Sequence, residues 1–112
     1  MKYTIVIDQA GIAAVPYLLE NTDLTDWAII DYLRSMQGMI NADTITDEDG
    51  TQFVRISHDR FAEDMPLLLL CEQVLEWRIM DLRRLGLVDV IKKNGNIYVH
   101  VTPFASTAFT QE

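Results

Sequence analysis

Few side chains in this 112-residue sequence could attack, ligate a metal or carry a proton, and their spacing suits none of those tasks. Cys71 is the single thiol, and His58 and His100 are the two imidazoles. Nucleophilic catalysis needs a thiolate beside a base, and nothing in the sequence brings either histidine to Cys71. Cys71 reads as a small buried residue at a helix start, and the two histidines read as surface residues. One cysteine forms neither an internal disulfide nor a multi-thiolate zinc site, and no spacing gathers the histidines with carboxylates. Asp47, Glu48, Asp49 and Gly50 share Asp-x-Asp-Gly with the centre of a calcium loop. Ile45 stands where the first ligand belongs and Ile56 where the bidentate carboxylate belongs, so a solvated acidic loop is expected instead. A Gly-rich phosphate loop, a serine elbow and paired carboxylates with a plausible cleft are all missing from the sequence. The chain is expected to be no enzyme and to use no metal, cofactor or small-molecule substrate, since one small core leaves little room for a ligand pocket.

Charge is the remaining chemistry. Nine basic against seventeen acidic residues give −8, a poor start for a nucleic-acid binder because phosphate contact rests on Lys and Arg. The excess is uneven: residues 1–64 hold four bases and twelve acids, whereas residues 65–111 hold five bases and four acids. Those five are Arg78, Arg83, Arg84, Lys92 and Lys93, the only footprint a polyanion could use. Lys92 and Lys93, beside Asn94, either grip phosphate or protect a hairpin tip from edge pairing. Arg83 and Arg84 either touch a nucleic-acid backbone or complement the negative end of a helix.

These residues must be positioned by one domain, since the chain has 112 residues, 49% of them hydrophobic. The longest apolar run, Pro66 to Cys71, falls far short of the ~18–20 residues of a membrane helix, and the N-terminus lacks a signal-type pattern. A cytoplasmic protein with no membrane partner is expected. Tyr3 to Ile7 reads as a strand, and Ile12 to Glu20 as a segment broken by Pro16. A helix is expected over Leu24 to Met36, capped by Thr25, with Asp26 in its first turn, Ile29, Leu33 and Met36 on one stripe, and Gly38 as its stop. Residues 41–50 read as a loop and TQFVRIS as a strand. Ser57 then caps a short helix whose Phe61 and Ala62 face the core. Pro66 opens a compact apolar turn before the strongest helix, Cys71 to Leu85, with Leu75, Ile79 and Leu82 inward and Gly86 as its stop.

LVDVIK and NIYVHVT form a hairpin around Asn94-Gly95, the pair that supplies two positive-φ positions. Ile97, Val99 and Val101 pack, while Tyr98, His100 and Thr102 take the accessible face. Residues 103–112 show no period and read as a frayed end or as an arm that docks on a partner.

Helix, strand, short helix, tight turn, long helix, hairpin is the order of a winged helix-turn-helix. On Ile56, Ser57, Phe61, Ala62, Met65 to Leu68, Leu75, Ile79, Leu82, Gly86, Leu87 and Val88, the stretch from Asp49 to Thr102 resembles the winged-helix domains of phage and plasmid replication initiators, replisome organisers and phage regulators. The resemblance covers about residues 22–102, between an N-terminal segment at 1–21 and a tail at 103–112. It implies an α+β fold with a three-helix core, a small antiparallel sheet and a C-terminal wing. It also implies duplex DNA as partner, read by Glu72, Gln73, Glu76, Trp77, Arg83 and Arg84 of the long helix and held by Lys92, Lys93 and Asn94 of the wing. The family's helix begins Ser-x-x-Thr with basic residues soon after, whereas this chain has Cys71, Glu72, Gln73 and Val74, then Glu76 and Trp77.

A carboxylate next to phosphate is repulsive, although Glu can accept from cytosine and Gln can read adenine. Trp77, where the family often carries a base, is either a core filler or an interface anchor. The leading expectation is a DNA-binding regulator or replication module acting as a homodimer, with the contact supplied by the N-terminal strand or the tail. The alternative is an acidic interaction module, such as an accessory factor or inhibitor, that engages a basic protein through Asp43, Asp47, Glu48 and Asp49 and leaves DNA alone.

Overall fold

Residues 7–37 and 43–107 are described by a computed structural model. Among them six helices accompany a four-stranded antiparallel sheet, an α+β architecture. The helices are α1 (Gln9–Ala13), α2 (Pro16–Asn21), α3 (Leu24–Gln37), α4 (His58–Asp64), α5 (Glu72–Arg84) and α6 (Pro103–Thr107). The strands are β1 (Thr44–Thr46), β2 (Gln52–Ile56), β3 (Val88–Lys93) and β4 (Asn96–Val101), in the spatial order β1-β2-β4-β3. The expected strand over Tyr3 to Ile7 and the expected stop at Gly38 lie outside the described residues, Ile7 apart, which is in no strand.

Local chemistry sets the boundaries. Pro16 occupies the first turn of α2, where its missing N–H costs nothing, so the apolar run splits into two short helices. Asp23, not Thr25, caps α3. The Asp26 N–H donates to Asp23 Oδ1 (2.8 Å) while the Asp23 N–H donates to Asp26 Oδ2 (3.0 Å), a reciprocal capping box. Ser57 sits at the N-cap of α4, but its side chain makes no capping bond. Gly86 follows α5 at φ +82°, and its N–H reaches the Arg83 carbonyl while the Leu87 N–H reaches that of Leu82, closing the helix as a Schellman motif. Asn94 (φ 53°) and Gly95 (φ 78°) form the tip of the β3–β4 hairpin, as their types predict.

The acidic stretch expected to be all loop contains β1. Thr44 to Thr46 pair with β2, and Asp47 Oδ1 accepts from the Asp49 and Thr51 N–H groups to close the turn between the two strands. The tail is helical where described: Thr102 Oγ1 accepts from the Ala105 N–H, Pro103 opens α6, and Ala105 is fully buried.

α3 is the hub of the core, buried from Trp27 to Leu33 and again at Met36. Phe61 of α4 meets Tyr32 edge-on at 5.2 Å, while Leu75, Ile79 and Leu82 of α5 and Val54, Val88, Val99 and Val101 of the sheet complete the cluster. Ile12, Leu18 and Ala105 belong to the same core, so α1, α2 and α6 are packed into it. Ala62 is exposed, since only Phe61 of α4 turns inward. The turn at 66–70 is less compact than its composition suggests: Leu67 and Leu69 are 92% and 88% exposed, and only Leu68 and Leu70 pack on the core. The far face of the sheet is partly closed as well. Tyr98 is buried there, as is Phe53, whose ring lies 5.7 Å from that of His100.

Candidate functional site

The residues expected to meet a partner lie on α5 and on the β3–β4 hairpin. A helix turns by about 100° per residue, so three buried side chains at Leu75, Ile79 and Leu82 fix where every other one points. Gln73, Trp77, Met80 and Arg84 form the strip opposite the core. Glu72, Glu76 and Arg83 lie on the flank facing the hairpin, and Arg78 and Asp81 lie towards the other flank. Trp77 is 60% exposed at the middle of the outer strip, which excludes the core-filling role its type suggested. Cys71, the N-cap of α5, is exposed rather than buried.

Between α5, the start of α4 and the hairpin runs an open groove of about 420 Å³. Its apolar lining includes Ile56, Leu75, Ile79 and Ile97, and its charged lining is mixed, with Arg55 and Lys92 beside Asp59, Glu72 and Glu76. The groove brings together two of the expected DNA-reading residues, Glu72 and Glu76, and one of the wing lysines, but Lys92 is taken by one of them: its Nζ donates to Glu76 Oε1 at 3.2 Å. Arg84 is likewise paired with Asp81 at 3.2 Å.

Arg78 turns away from the groove to the start of α3. Its guanidinium donates to both oxygens of Asp23 at 3.2 Å and to Asp26 Oδ1 at 3.1 Å. Burial pushes the Asp26 carboxyl above the usual range, reinforced by the charge of Asp23 and opposed by Arg78. At Asp23 burial acts upwards too, but the Asp26 N–H and Arg78 outweigh it and hold the carboxyl below its ordinary value. Of the five bases in the second half, Arg83 and Lys93 alone have no carboxylate within reach among the described residues.

The structure does bring His58 near Cys71, a proximity that no spacing in the sequence foretold. His58 Nε2 bonds to the carbonyl of Leu70, the residue before the cysteine, at 2.7 Å. A carbonyl can only accept, so that ring nitrogen carries a proton directed at the backbone and cannot take one from the thiol. His100 Nδ1 bonds to the Gln52 carbonyl at 3.1 Å on the far side of the sheet. Asp43 lies 3.8 Å from Arg55 with its side chain still exposed, and Asp47 is occupied in its turn, so the acidic stretch offers Asp43, Glu48 and Asp49 to solvent. No group of three His, Cys, Asp or Glu residues able to hold a metal ion occurs among the described residues, nor does a helix long and apolar enough to cross a membrane.

Compared with protein-family models, curated proteins and solved structures, the chain matches none. The arrangement is therefore judged by its own chemistry: a half-apolar helix strip around one exposed tryptophan, beside a groove whose charges are mostly paired internally.

Proposed function

We propose that the chain is a winged-helix module whose long helix docks on protein rather than on DNA. In this reading α3, α4 and α5 are the three-helix core, β3 and β4 with the tip at 92–96 are the wing, and the outer strip of α5 is the contact face. The order of the elements and the core positions at Phe61, Leu75, Ile79 and Leu82 support the fold assignment.

One observation carries the function. At the centre of the strip that would enter a DNA groove stands an exposed Trp77, not a base. Tryptophan offers a large apolar area with few torsions to immobilise, which is why it is enriched at the energetic centres of protein interfaces. The surrounding charge agrees, because Lys92, Arg84 and Arg78 are already matched by carboxylates of the same chain. A phosphate would have to displace Glu76 or Asp81 first, and their own charges oppose its approach.

A second reading, the duplex-binding module that the family resemblance implies, keeps one observation in its favour: Arg83 and Lys93 are exposed and have no carboxylate partner among the described residues. Gel retardation separates the two. At about 50 mM salt, where phosphate contacts are strong, the wild-type chain should leave duplex DNA unshifted. A shifted band that disappears on Arg83→Glu with Lys93→Glu, and survives Trp77→Ala, would replace the protein-docking reading by the DNA one.

A further inference from the structure

The geometry points to a second copy of this chain as the occupant of the α5 outer strip, paired antiparallel about a twofold axis. This rests on the protein-docking reading and adds the partner's identity. The strip Gln73, Trp77, Met80, Arg84 has spacings of four, three and four, so it reads the same in both directions about the point between Arg78 and Ile79. A twofold interface requires such self-complementarity, because each residue must meet its image's counterpart. Antiparallel pairing sets Trp77 on Met80 of the copy and Met80 on its Trp77. That makes two sulfur–aromatic contacts, with Gln73 and Arg84 facing each other at both ends.

The hairpin-side flank is self-complementary in the same register. In an antiparallel pair each flank faces the same flank of its image. Arg83 of the copy then comes level with position 74, between Glu72 and Glu76, and Glu72 supplies the carboxylate partner that Arg83 lacks among the described residues. A parallel pair would instead bring Arg83 and Arg84 level with their own images and the acidic first turns level with each other, with both helix dipoles aligned. The antiparallel arrangement is thus selected by charge as well as by spacing.

One helix face per copy covers about half of the ~800 Å² per partner of a standard interface. The dimer is therefore weak, with a dissociation constant on the order of 10–100 μM.

Sedimentation equilibrium of the full chain from about 5 to 500 μM tests this, with circular dichroism to establish that each variant is folded. The wild-type mass should rise from 12.8 kDa towards twice that value. Trp77→Glu should raise the dissociation constant at least ~30-fold. Arg83→Glu should weaken the dimer, and adding Glu72→Arg should restore it by exchanging the charges across the axis. A monomer at every concentration overturns the proposal, as does a dimer indifferent to Trp77→Glu, or one in which the exchange gives no rescue. A monomeric chain that binds a different purified protein through Trp77 removes the second copy but leaves the protein-docking reading intact.

Discussion

Arg78→Met removes the guanidinium that joins the middle of α5 to the capping box of α3 while keeping an unbranched apolar stem and good helix propensity. The cost follows from the two carboxylates left behind. The Asp23 side chain is 57% exposed, and losing its cation costs at most about 1 kcal/mol. The Asp26 side chain is only 14% exposed, and losing its charged donor costs about 1–2 kcal/mol. Together these give a destabilisation of about 1–3 kcal/mol at pH 7. With a urea dependence of about 1.2 kcal/mol/M for a domain of this size, the unfolding midpoint should fall by roughly 1–2.5 M.

The pH dependence of that loss has a defined sign. Asp26 is raised in the folded chain, so its ionised form already opposes folding at neutral pH, and without Arg78 it does so more strongly; protonation on acidification relieves the penalty. Asp23 is lowered, so its contribution is present above its unfolded value of 3.8 and fades as pH falls through its lower folded value. The Asp26 effect makes the variant's deficit smaller near pH 4 than at pH 7, and the Asp23 contribution is lost only at lower pH. A loss below about 0.5 kcal/mol, or one identical at the two pH values, would refute the claim that this clamp fixes α5 against α3.

Phe61→Ala should cost about 3–5 kcal/mol in urea unfolding, since the ring is buried edge-on against Tyr32 and its removal leaves a cavity in the core. Tyr32→Phe removes the hydroxyl that donates to Asp64 Oδ2 at 3.0 Å and should cost about 0.5–1.5 kcal/mol, with the core left intact in near-ultraviolet dichroism. Gly86→Ala meets no atom within 4 Å but forces a side chain into φ +82°, so about 1 kcal/mol should be lost in thermal unfolding, and a neutral result would contradict the helix-stop role.

The parts of the fold written in local chemistry were legible. The Leu75, Ile79, Leu82 stripe with Gly86 beyond it defined α5, and Asn94-Gly95 defined the hairpin. Other signals were present but weaker than their competitors. Asp23 and Asp26 spell a capping box that Thr25 obscured, and Thr102-Pro103 spells a helix start within a tail that lacks apolar period. β1 was hidden because three residues in an acidic stretch carry no periodicity, and its pairing depends on the Asp47 turn.

For the site, the position of Trp77 two residues after Leu75 already placed it away from the core, although its residue type suggested a filler. The pairing of Lys92 with Glu76, and of Arg78 with Asp23 and Asp26, spans 16 to 55 residues and exists only once the chain has folded. That tertiary pairing, with the local Arg84–Asp81 pair, leaves two of the five clustered bases without a carboxylate among the described residues.

The decisive measurement uses the two indole N–H resonances of the full chain at about 50 mM salt, where phosphate binding is at its strongest. Trp27 is buried with its indole donating to Thr22 Oγ1 at 2.7 Å and serves as a fixed internal reference, whereas Trp77 reports directly on the outer strip of α5. The account predicts that the Trp77 signal moves with protein concentration, that Trp27 stays in place, and that added duplex DNA changes neither. A saturable shift of Trp77 on titration with duplex, accompanied by the Arg83, Lys93 and Asn94 amides, would contradict it.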